Sequence, residues 1–149
     1  GAQHKKNNDY ALPSAVGSQD DSSVDWYVSA AKAWLDGPFH RTWVANLTLR
    51  SSKANQLGLL GFGGDKENSR DWLAEASVAA FLNRYWAVGI EYRQKPDNLN
   101  FAEEQDWKDL FVAYFPNKHV SVVGAYTDLG SIAGLDDQTG WYLSVQAAF

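Results

Sequence analysis

The stretch Trp141-Tyr142-Leu143-Ser144-Val145-Gln146-Ala147-Ala148-Phe149 decides the fold. Its odd positions, Trp141, Leu143, Val145, Ala147 and Phe149, are all apolar, and Tyr142, Ser144, Gln146 and Ala148 between them are polar, amphipathic or small. Side chains of a β-strand point to opposite faces in turn, so this alternation sets one apolar face against one mixed face. A tilted membrane-crossing strand takes about 9–11 residues, and the run has that length. A soluble sheet with one buried face alternates in the same way, so the rest of the chain has to separate the two.

The same period recurs upstream. Tyr85 to Arg93 sets Trp86, Val88, Ile90 and Tyr92 against Ala87, Gly89, Glu91 and Arg93. Before it, Trp72, Ala74, Ala76, Val78, Ala80 and Leu82 oppose Glu75, Ser77 and Ala79. From Thr42 onward, Trp43, Ala45, Leu47 and Leu49 oppose Val44, Asn46, Thr48 and Arg50. Val120, Val122, Gly124 and Tyr126 alternate with Ser121, Val123, Ala125 and Thr127. Val24 to Leu35 and Trp107 to Phe115 also read as strands, but their facing stays open. Lys32 interrupts the apolar face of the first, and both faces of the second are apolar.

Connection lengths separate the candidate folds. In chain order, Asn7 to Ser23 is long and Asp36 to His40 short; Lys53 to Arg70 is long and Asn83-Arg84 short. Gln94 to Asp106 is long, Pro116 to His119 short, and Gly130 to Gly140 long. Short turns on one side and long polar loops on the other are the layout of an outer-membrane barrel, whereas a soluble meander has no reason to keep that order. The expected fold is therefore all-β: an antiparallel up-and-down transmembrane β-barrel of about eight strands, formed by one domain over residues 1–149. The first strand, Gly1 to Lys6, is too short to cross a hydrocarbon core at about 3.3 Å per residue. Either upstream sequence or another chain adds strands, or eight strands close a small barrel with one short member.

Composition agrees. Aromatic residues make up 14% of the chain and charged residues 21%, which excludes a disordered chain. There is no cysteine, hence no disulfide framework and no thiolate chemistry. The net charge of −5 argues against nucleic acid as a partner. The seven tryptophans, Trp26, Trp34, Trp43, Trp72, Trp86, Trp107 and Trp141, fall near predicted strand ends, as aromatic girdles at two bilayer interfaces would.

The final strand resembles the C-terminal assembly signal of outer-membrane barrels, with Trp141, Leu143, Val145, Ala147 and Phe149 as its alternate apolar positions. Further stretches carry a wider likeness: GAQHKKNNDY at 1–10, TLRSSKANQLGLLGFGGD at 48–65, AVGIEYRQKPDN at 87–98, DWKDLFVAYFPNKH at 106–119 and AYTDLGSIAGLDDQTGWYLSVQAAF at 125–149. On these the chain resembles the C-terminal half of a proteobacterial outer-membrane family of uncharacterised function. The resemblance implies a bacterial outer-membrane location, a longer parent protein, and the barrel-assembly machinery, membrane lipid and lipopolysaccharide as partners. It implies no activity.

The inward-facing polar set is the candidate site: Asn46, Thr48, Arg50, Glu75, Ser77, Glu91, Arg93, Tyr142, Ser144 and Gln146. Opposed Arg and Glu bias ion passage in a pore, whereas in a narrow barrel they fill the interior with salt bridges. The expected function is a passive channel or transport component. The alternatives are a structural or adhesion barrel with a filled lumen and functional loops, and a soluble lipocalin-like binding barrel. We expect no enzyme, no cofactor and no metal site. The glycine-rich run Leu57 to Lys66 lacks a Gly-Lys-Ser/Thr ending and reads as a loop with positive φ angles. His4, His40 and His119 read as a residue of the short first strand and two turn residues. The acidic loop clusters Asp20-Asp21, Glu103-Glu104 with Asp106, and Asp136-Asp137 read as solvation, with divalent cations as the functional option.

Overall fold

The computed structural model describes residues 1–101 and 103–148. Eight strands form one antiparallel sheet in chain order. They are β1 (Ala2–Lys6), β2 (Ser22–Trp34), β3 (Trp43–Ser52), β4 (Asp71–Phe81), β5 (Trp86–Arg93), β6 (Trp107–Asn117), β7 (Val120–Asp128) and β8 (Thr139–Ala147). Each strand pairs with its neighbours in sequence, and the long and short connections alternate as the sequence indicates.

Register converts the single-strand alternations into rows that cross the sheet. Val78 pairs with Ile90, Ile90 with Leu110, and Leu110 with Tyr126, which pairs in turn with Trp141. This row belongs to an outer face on which Val28, Leu47, Leu49, Ile90, Leu110 and Val112 are all exposed. Exposure is greatest on β8, with Trp141 at 85%, Leu143 at 73% and Val145 at 66%. Trp86 stacks against Tyr114 with centroids 4.5 Å apart, and Tyr126 meets Trp141 edge-on at 5.3 Å.

Both open facings are resolved by register. Trp26, Val28, Ala30, Lys32 and Trp34 of β2 share the outer face, because they pair with Ser51, Leu49, Leu47, Ala45 and Trp43. Lys32 lies one turn-ward step from the strand end and places its Nζ 5.2 Å from the Trp34 ring centroid. A lysine there keeps its stem on apolar surface and carries its charge toward the strand end. On β6 the outer residues are Lys108, Leu110, Val112 and Tyr114, which leaves Trp107, Asp109 and Phe111 inside. Trp107 therefore departs from the expected girdle. Its pairing with Arg93 turns it inward, where its ring meets two cations, Arg93 at 5.7 Å and Lys95 at 5.5 Å.

The tight turn after β4 has no glycine because an asparagine side chain takes over the turn. Asn83 Oδ1 accepts hydrogen bonds from Tyr85 N at 2.8 Å and Trp86 N at 3.1 Å, and Leu82 N donates to Trp86 O at 2.8 Å. The long connection before β2 contains a short helix, Ala11–Ala15, that the alternation did not announce.

β1 and β8 are both edge strands, and they do not pair with each other among the described residues. Gly1 still exchanges backbone hydrogen bonds with Tyr27, but from Val28 to Trp34 β2 is paired only with β3. β1 is short, as expected, and within this sequence β2 is paired on one side only from Val28 to Trp34. Replacing Asn83 by alanine removes two local acceptor contacts and should lower stability by about 1 kcal/mol in a denaturant titration. An unchanged midpoint would show that the four-residue connection holds itself.

Candidate functional site

The inner face carries its ion-paired charges in one band near the long-loop end. There a ladder of alternating sign runs over five consecutive strands. Lys5 Nζ lies 2.8 Å from Asp25 Oδ2, Arg50 Nη1 is 3.9 Å from the same oxygen, and Arg50 Nε lies 2.8 Å from Glu75 Oε1. Arg93 Nη2 reaches that Glu75 oxygen at 3.2 Å, and its guanidinium then lies over Trp107 of β6. Asp25 is fully buried and also accepts the Ser52 hydroxyl at 2.7 Å. Glu75 is the pivot, since it alone joins the two arginines.

The next row toward the short turns has a different character. Asn46 pairs with Ser77, Ser77 with Glu91, Glu91 with Asp109, and Asp109 with Thr127. The two carboxylates stand side by side across strands, and neither has an ion pair among the described residues. Below them the face is lined by smaller and apolar groups, with Phe81 and Phe115 stacked at 5.8 Å near the short-turn end.

Of the candidate residues, Asn46, Glu75, Ser77, Glu91, Arg93, Ser144 and Gln146 line one cleft of about 600 Å³ together with Tyr142. Residues of β3 and β8 share this cleft, so the sheet curls until its first and last thirds face each other. Thr48 does not reach it: its hydroxyl is 2.7 Å from Ser29 Oγ, between neighbouring strands. Arg50 is held in the ladder. Of the proposed assembly signal, Trp141, Leu143, Val145 and Ala147 lie on β8, the first three fully on the outer face, and Phe149 lies outside the described residues.

The alternation did not single out Lys5, Asp25, Trp107 and Asp109. Asp25 was legible in principle, because the phase set by Trp26, Val28 and Ala30 turns it inward; Lys32 obscured that phase. Trp107 and Asp109 sit in a strand whose two faces are equally apolar, and only pairing with β5 orients them.

Above the ladder, the long loops fold into a cap with its own core. Phe62 is fully buried and bridges both Asp20 and Ala54. Asn98 Nδ2 donates to Asn55 Oδ1 at 2.9 Å, and Asn55 Nδ2 donates to Gly63 O at 2.8 Å. Positive φ angles occur in the glycine-rich run as expected. At Gly61 (φ 73°) a Cβ would lie 2.1 Å from Ser18 Oγ, and at Gly64 it would meet the Asn98 carbonyl oxygen at 1.9 Å. Single members of the acidic clusters are drawn into this cap, Asp20 pairing with Lys53, Glu104 with Lys95, and Asp106 accepting Lys95 N and the Tyr92 hydroxyl, whereas Glu103, Asp136 and Asp137 stay exposed. Asp65 accepts Asn100 N at 3.0 Å, which holds its carboxyl below the usual carboxylate range. His40 and His119 lie at two of the three short turns, against Asp36 and Ala148 O.

Replacing Glu75 by leucine leaves Arg50 and Arg93 facing each other without their shared counter-charge. The loss should be about 2–3 kcal/mol, below the figure for a fully buried pair because these side chains keep some contact with water. Thermal or denaturant unfolding checks it, and a change under about 0.5 kcal/mol would show that the ladder is not a structural unit.

No curated protein and no solved structure matches the chain. One family does, described as a protein of unknown function (DUF3034), and its match runs over residues 1–146. The chain therefore belongs to the DUF3034 family.

Proposed function

We propose that this chain forms wall of a bacterial outer-membrane β-barrel that acts as a passive channel or transport component. The observation that carries this reading is the outer face. Its apolar rows run across the sheet from β2 to β8 with little covering them, while the charged and polar rows lie on the opposite face. A water-soluble barrel would bury those apolar rows, so a lipocalin-like binding barrel fits poorly. Outward tryptophans lie toward both ends: Trp26, Trp72 and Trp141 toward the long loops, and Trp34, Trp43 and Trp86 toward the short turns.

A membrane location requires the open edges to be covered, because an unpaired backbone group in hydrocarbon costs several kcal/mol. The number of strands is even, so β8 runs antiparallel to β1 and any added strands must also be even in number. Strands from upstream sequence or from another chain would widen the barrel beyond eight and keep a water-filled lumen. The ends of such a lumen differ in charge. Arg41, Arg84 and Lys118 lie at the short-turn end with one acid, Asp36, whereas acids outnumber bases in the long loops. An acidic mouth raises the local concentration of cations. The cap gives the second reading its footing: a structural or adhesion barrel would present those folded loops with its lumen filled.

The assembly machinery, lipid and lipopolysaccharide are the partners that this reading entails. Conductance in planar bilayers separates the two readings, since a channel gives salt-dependent steps and a filled barrel gives none. On the lipid side, Val145→Arg should cost about 2–4 kcal/mol near the bilayer midplane, and Ser144→Arg much less. Equal tolerance of both substitutions would remove the lipid-facing assignment of β8.

A further inference from the structure

We propose that the loop between β3 and β4 is a lid on the long-loop end of the inner face, latched shut by the buried Lys95–Glu104 ion pair. The lid lies directly on the charge ladder. Ala54, Gln56 and Leu57 of this loop meet Arg50, Leu73 and Trp107 of the inner face around a gap of about 10 Å³, room for one water at most.

Local hydrogen bonds shape the lid tip, Leu59 N donating to Gln56 O at 3.1 Å and Leu60 N to Asn55 O at 3.2 Å, but two of its residues are strained. Gln56 and Leu57 have φ angles of 45° and 63°, and neither is glycine. Two successive side-chain-bearing residues in the left-handed region are strained, and they persist only where their surroundings impose them. Two other loops supply those surroundings: Asn7 Nδ2 of the β1–β2 loop donates to Leu59 O at 2.8 Å, and the β5–β6 loop holds Gln56 itself. Gln56 Nε2 donates to Glu104, and Glu104 Oε2 lies 2.9 Å from Lys95 Nζ.

That ion pair joins three connections at once. Lys95 and Glu104 belong to the β5–β6 loop and are only 5% and 4% exposed. Lys95 Nζ also donates to Leu129 O at 3.3 Å and Ser131 O at 3.0 Å of the β7–β8 loop, and Glu104 Oε1 accepts Ala133 N at 3.3 Å. A buried ion pair adds little net stability when intact, but removing one partner leaves an uncompensated charge and is costly. Such a pair therefore acts as a latch: it stays closed while complete and lets go when either side is lost.

As a gate the lid rests on the channel reading; as a movable loop it can be followed without conduction. Leu73 is buried under the lid, and the chain has no cysteine, so Leu73→Cys supplies a single thiol. With the protein folded in lipid vesicles, a small charged thiol reagent should label this position slowly. Adding Glu104→Gln or Lys95→Met should speed labelling by about tenfold or more, with the folded barrel still resistant to SDS at room temperature. Trypsin cleavage after Lys53, whose side chain is held by Asp20, reads the same opening without the introduced thiol.

Equal labelling and equal cleavage in all chains would overturn the latch, and so would loss of the SDS-resistant fold, which would make the pair a global strut. In planar bilayers the two latch substitutions should raise the mean conductance above that of the native chain. Faster labelling with no conductance in any chain would keep the lid and remove the channel reading instead.

Discussion

A backbone hydrogen-bond ladder has a period of two and no tolerance for a one-residue slip, and everything else in this structure hangs from that. Each pairing, from Val28 with Leu49 to Leu143 with Gly124, carries the facing of one strand to the next. Because the seven pairings run in phase, short alternations add up to a continuous apolar surface and a continuous polar one. A single slip would mix them. The bulge between Tyr114 and Asn117 comes at the short-turn end of β6, where only the Asn117–Val120 pair lies beyond it.

Within that frame the inner face solves a second problem, that of charge held close to protein and away from bulk water. Lys5, Arg50 and Arg93 are each set beside Asp25 or Glu75 on the neighbouring strand, so no cation of the ladder stands alone. The band sits at one end, against the cap, rather than at mid-height. There it ties the early strands together where β1 is short, and it gives the loops a charged floor to pack on. Glu91 and Asp109, one row below, are left to face the cleft.

Much of this was legible in the sequence. The strands, their order and the long-short rhythm of connections follow from alternation and from turn residues, because both are local. The inward placement of Asn46, Glu75, Ser77, Glu91, Arg93, Ser144 and Gln146 follows from the same rule. Facing stayed open where the local pattern was ambiguous: Lys32 disguised the phase of β2, and Phe111 beside Val112 disguised that of β6. Trp107 looked like a girdle residue until its cations were in place. The cap was illegible for a different reason. Phe62, Asn98, Lys95 and Glu104 meet across loops far apart in sequence, and no periodic signal announces such contacts. Only the glycines hinted that the β3–β4 loop was shaped rather than loose.

The central claim is that the apolar rows face lipid and the polar rows face water. The chain lacks cysteine, so spin labels can be placed singly along β8 at positions 141 to 147. Collision with oxygen, which concentrates in the bilayer, and with a water-soluble nickel chelate can then be compared residue by residue in vesicles. Strict alternation is expected, with oxygen favoured at Leu143 and Val145 and nickel at Ser144 and Gln146. Nickel access at all four positions, or the opposite phase, would contradict the account.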